Sequence, residues 1–170
     1  MMPLVLLWVA FDCSGLGSQP SAAPSKEDEA YAITEAALDD ADDAIAADLG
    51  YRWHVVAPDS SVRFGIAAPN EFDIQIACTN RELVLISPER SDGRVGDAVT
   101  ALLPDGSRLR GSVEQLPFGI GKVARLSADD ARARTLASDG RIRIESERTV
   151  HSVSTRGGAA LVNALVENCR

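Results

Sequence analysis

From Tyr51 onward the chain alternates apolar and polar residues in short stretches broken by turn residues, and this confines it to brief strands. The clearest stretch is Phe72–Cys78. Phe72, Ile74, Ile76 and Cys78 fall on one side, and Asp73, Gln75 and Ala77 on the other. A period of two belongs to a strand with one face in a core. Shorter or less regular runs are Arg52–Ala57, Val62–Ala67, Leu83–Ile86, Asp97–Leu103, Ser107–Val113, Ile120–Leu126, Arg141–Glu145 and Thr149–Ser154. Pro104-Asp105-Gly106 parts two of them and reads as a hairpin turn. Ser127, with Asp130 three residues on, starts a helix over Ala128–Ala137 that Asp139-Gly140 ends. After Gly157-Gly158, Ala159–Asn168 form a closing helix. The expected fold is α+β: mainly an antiparallel sheet or sandwich of about eight short strands with the last helix packed on it. Aromatic residues make up only 5% of the chain, so the core must rest on Val, Ile, Leu and Ala.

The preceding segment follows a different pattern. Residues 26–49 contain neither Gly nor Pro, with Ser25 placed as an N-cap and Gly50 as a stop. Tyr31, Leu38 and Ile45 recur every seven residues and form a narrow apolar seam; Asp39, Asp42 and Asp43 share the other side. Residues 26–50 hold nine acids and one base, which equals the chain's whole net charge of −8. From Tyr51 on, 16 bases meet 15 acids. The body is thus nearly neutral and has no basic stripe, which excludes the electrostatic footprint of nucleic-acid binding.

Residues 2–11 are an apolar run of about ten, half the length needed to span a bilayer and that of a signal-peptide core. Cys13 follows, and then a linker rich in Ser, Gly and Pro. Apolar run, cysteine and flexible linker together resemble a bacterial lipoprotein precursor. The resemblance implies lipidation of Cys13 and a membrane held by that lipid. Phe11 and Asp12 stand where such precursors carry small residues, and no Lys or Arg precedes the run. The alternative is a signal peptide cleaved near Ala22–Ala23. Three parts are expected: a signal or lipoprotein-type segment and linker over 1–24, an acidic helix over 25–50, and a β-rich domain over 51–170.

Cys78 and Cys169 lie far apart in the β-rich part, and no cysteine pair has the spacing of a zinc or redox site. With an export segment in front, the reading is a disulfide between Cys78 and Cys169. Closing so long a loop would stabilise the fold by roughly 4 kcal/mol. Two buried thiols in a reducing compartment are the other option.

Phe64-Gly65, Pro69, Phe72–Cys78, Gly140-Arg141 and the closing Leu165–Arg170 also go together. The stretch from Phe64 to Arg170 is similar to a domain of alphaproteobacterial lipoproteins and periplasmic proteins to which no activity is attached. That resemblance implies an extracytoplasmic β-rich fold with a Cys–Cys bridge and carries no catalytic residue.

Groups that could carry chemistry are scattered. His54 and His151 sit on different strands, short of the three or four ligands that zinc takes. His151 lies among Ser152, Ser154 and Thr155, without a nucleophile elbow. Asp39, Asp40, Asp42 and Asp43 diverge around a helix rather than gather on a loop. Gly119-Ile120-Gly121-Lys122 has Leu116 and Val123 where a phosphate loop needs Gly and Ser/Thr, and reads as a turn. Arg132, Arg134, Arg141, Arg143 and Arg148 interleave with Asp139, Glu145 and Glu147 as a solvated face. Trp53 reads as core. No catalytic residue, metal or cofactor is assigned.

The expected function is therefore that of an exported protein of the periplasm or envelope membrane, a non-enzymatic binding or scaffolding lipoprotein. An accessory subunit of an envelope or secretion complex is the alternative, with the acidic helix docking a protein partner. A hydrolase built on His151 or His54 comes third.

Overall fold

The structure, a computed structural model, describes residue 41 and residues 43–57, 60–67, 71–88, 93–147 and 149–170. Cys13, Ala22, Ala23 and the rest of the 1–24 segment lie outside the described residues, as do Asp39, Asp40, Asp42 and Arg148. Of the acidic helix, residues 43–48 are described and helical (α1).

The body is one nine-stranded sheet. Its strands are β1 (Arg52–Ala57), β2 (Ser61–Gly65), β3 (Phe72–Thr79), β4 (Glu82–Pro88), β5 (Ala98–Leu102), β6 (Arg108–Leu116), β7 (Gly119–Ser127), β8 (Arg141–Glu145) and β9 (Val150–Ser154). The spatial order is β1-β2-β3-β4-β7-β6-β5-β8-β9 with every pairing antiparallel. Strands β4 to β7 form a Greek key, because β4 lies beside β7 and not beside β5. The sheet curls into a half-barrel. Nine alternating directions leave β1 and β9 running the same way at the two edges, so the antiparallel ladder cannot close between them.

Alternation puts Ile74, Ile76, Leu83, Leu85, Val113, Ile142 and Ile144 on the concave side, where all are buried. Each such side chain stabilises the fold by about 1.5–3 kcal/mol relative to leaving it exposed. Two hairpins show why the strands end where they do. Asn80 and Arg81 have φ of 52° and 64°, the left-handed pair of a tight two-residue turn between β3 and β4. At Pro104-Asp105-Gly106, Gly106 has φ of 79° and Asp105 Oδ1 accepts the Ser107 N–H at 3.0 Å.

One end of the half-barrel is closed by α2 (Ala159–Asn168), which packs on β1, β2, β3 and a 3-10 helix at Ala131–Ala137. Val162, Leu165 and Val166 are its buried face. Cys169, just after α2, is disulfide-bonded to Cys78 of β3 across 91 residues, with Cα atoms 5.6 Å apart.

The nine strands fall on the runs expected from the sequence, and the sheet is the antiparallel one expected. One expectation needs correction. The helix expected from Ala128 is a 3-10 helix beginning at Ala131, capped by Asp130, whose carboxylate accepts the Arg132 N–H at 2.9 Å. The reason lies one step earlier. Ser127 still pairs with Glu82, and Ala128 still donates its N–H to Arg81 O at 2.9 Å. The backbone is therefore held extended where Ser127 would have to cap.

Candidate functional site

The open seam between β1 and β9 is where the sheet leaves room for a ligand. Its construction starts at the end of α1. Gly50, at φ 83°, donates to Ala47 O at 3.0 Å, and Tyr51 N donates to Ala46 O at 2.8 Å. These two bonds are a Schellman cap, which a glycine in the left-handed region permits. The cap turns the chain out of the helix and delivers Tyr51 at the start of β1.

Trp53 of β1 stands opposite Phe64 of β2, with ring centroids 5.8 Å apart, and Tyr51 lies 6.0 Å from the same Phe64 ring. The three rings form one aromatic cluster in tilted contact. Trp53 is fixed from the far side of the seam. Its Nε1–H donates to Ser154 O at 2.8 Å, so the indole bridges β1 to β9 where no backbone ladder does. The ring also rests on Gly158, where a Cβ would come within 2.4 Å of the indole Cγ. Only glycine fits at that position.

The result is a cleft of about 570 Å³, walled by the aromatic cluster on one side and by Ser154, Arg156 and Gly157 on the other. Asp43, Ala44 and Ala47 of α1 line it as well, and so does Arg52. This volume is in the range of small-molecule sites. Asp43 Oδ1 accepts from Arg141 Nη1 at 2.9 Å in a largely buried ion pair, and Arg141 Nε donates to Ser152 Oγ at 2.9 Å. The Asp43 carboxylate is thus neutralised by a strand residue. The guanidinium groups of Arg52 and Arg156 have no hydrogen bond or ion pair among the described residues.

The other groups singled out in the sequence do not converge here. His54 takes the Arg63 Nε–H on its Nε2 at 2.8 Å, on the face of β1 away from Trp53. His151 lies on β9 at the opposite edge of the sheet order. Among the described residues no group of three or more His, Cys, Asp or Glu could hold a metal ion. Within the arginine face, Arg132 forks onto Asp130 with Nη2–Oδ2 at 2.7 Å, and Arg141 binds Asp43. The sequence neighbours Asp139, Glu145 and Glu147 are not the acids in these pairs.

Two features were not foreseen. Gly119–Lys122 does open β7 after a turn, but Lys122 points into the half-barrel and is fully buried. Its Nζ donates to Thr149 O at 3.2 Å and also contacts Thr149 Oγ1. Ser87, its register partner on β4, is equally buried, and its Oγ has no hydrogen-bond partner among the described residues. Alternation could have flagged Lys122, because it shares its strand face with Ala124 and Leu126. The second feature is the cleft itself. Its residues come from α1, β1, β2, β9 and the connections beside them, and no local pattern joins them.

The fold and the cleft together define a class: a disulfide-closed antiparallel half-barrel with a small-molecule-sized opening at its seam. No family model matches the chain, and no match was found among curated proteins or solved structures.

Proposed function

We propose that the chain is a non-enzymatic binding domain of the bacterial cell envelope, exported and held near a membrane through lipid on Cys13. The observation that carries this reading is the Cys78–Cys169 disulfide. A bridge that fastens the last helix to the third strand persists where thiols oxidise, and exported proteins are where such bridges are common. The apolar run before Cys13 and the linker after it supply the matching export and anchoring signals. The seam cleft gives the domain a place to bind.

Intact mass and fractionation of the protein expressed in a bacterium test this. Expected is a membrane-associated product that begins at Cys13, carries diacylglycerol mass, and shifts to the precursor mass under globomycin. A soluble product without added lipid would overturn the anchor. A full-length product recovered from the cytosol with reduced thiols would overturn export as well.

A further inference from the structure

We infer that the seam cleft binds an amphipathic anion: a molecule with an apolar or ring-shaped body and one carboxylate, sulfonate or phosphate group. This rests on the reading of the chain as a binding domain and names the ligand chemistry of that site. Three observations converge. The cleft floor is aromatic, made by Tyr51, Trp53 and Phe64 in mutual ring contact. Such surfaces take the apolar part of a ligand and orient it by ring geometry. Two arginines, Arg52 and Arg156, line the cleft, and nothing among the described residues neutralises either. Arginine presents a planar fork of donors that matches carboxylate and phosphate oxygens. Among the described residues the one carboxylate that lines the cleft, Asp43, is paired with Arg141. The unbalanced charge of the described lining is therefore positive, and a neutral or cationic guest would leave it so.

The geometry also explains why the site is preformed. Trp53 is locked by Ser154 O on one edge and Gly158 beneath its face, and α1 is stopped at Gly50 by its own cap. An apolar body can enter without reordering the rings, so little ordering entropy opposes it.

Two fluorescent probes of similar shape separate the terms: anionic 1-anilinonaphthalene-8-sulfonate and uncharged N-phenyl-1-naphthylamine. They are titrated into the full chain and into Arg52→Ala/Arg156→Ala. A control variant, Arg108→Ala/Arg110→Ala, removes two exposed arginines outside the cleft. Circular dichroism checks that each variant is folded. Expected is saturable binding of the anionic probe that weakens at least tenfold in the first variant, is unchanged in the control, and declines as salt is raised. The uncharged probe should bind both variants alike. Equal binding of the anion to all three proteins would overturn the charge assignment while leaving a binding cleft. Binding of neither probe would overturn the cleft as a ligand site. Neither result bears on export or the anchor, which the mass measurement tests separately.

Discussion

Single residues decide how tightly the seam is held. Gly158 lies so close to Trp53 that a methyl group there must displace the indole from Ser154 O. Gly158→Ala should therefore cost about 1–3 kcal/mol, the usual range for overpacking. Urea unfolding reads that loss, and a red shift of Trp53 emission in a Trp8→Phe background reads the displaced ring. An unshifted emission with unchanged stability would contradict the lock. Asp130 shows how pH enters. Hydrogen bonds from the Arg132 side chain, and then from its backbone N–H, lower the Asp130 pKa from 3.8 to about 2. A carboxylate depressed on folding adds stability above its unfolded value and loses it as pH falls through the folded one. The Asp130 contribution is thus complete above about pH 4 and gone near pH 2. Asp130→Asn keeps a capping side chain, so it should flatten the stability curve between those pH values. Equal slopes for the two proteins across that window would count against the pair. Neither effect was legible in the sequence, because Trp53 and Gly158 are brought together only by the curl of the sheet. The Arg132–Asp130 contact was local, yet the helix start assigned to Ser127 concealed it.

At the level of elements, strands were legible and the short helix was misplaced. Phe72–Cys78 alternates so regularly that its buried and outward faces follow from the pattern alone, and β3 reproduces them from Phe72 to Ala77. The C-terminal helix, Ala159–Asn168, also falls where Gly157-Gly158 and the apolar spacing put it. The 3-10 helix differs because tertiary pairing at Ser127 and Ala128 overrides a local capping signal. Helix α2 is too short to persist by itself, so it depends on its apolar face and on the bridge. Reducing that bridge should destabilise the domain by about 2–5 kcal/mol. Amide exchange should quicken first at Val162 and Cys169, whose N–H groups bond to Gly158 O and Leu165 O. Exchange that stays as slow there in the reduced protein would show that packing alone holds the helix.

For the molecule as a whole, the class of fold was legible while its topology and its cleft were not. Periodicity reports which face of a strand is buried and is silent on which strand it neighbours. The Greek-key jump that sets β4 beside β7 had no local signature, and neither did the curl that leaves β1 and β9 apart. Lys122 stands between the two cases: alternation with Ala124 and Leu126 gives its inward direction, whereas its complete burial follows only once β6, β7 and β4 are side by side. The cysteines were the exception: a pair separated by 91 residues was read correctly because the compartment argument and the count allowed few alternatives.

That covalent closure supports the fold, the compartment and the proposed role alike, and it can be read in one measurement. The native, unreduced protein is treated with iodoacetamide, digested and analysed by mass spectrometry. Expected are unlabelled Cys78 and Cys169, recovered as a single cross-linked peptide pair that separates and accepts label after reduction. Carbamidomethyl groups on both sulfurs before any reductant is added would contradict the account.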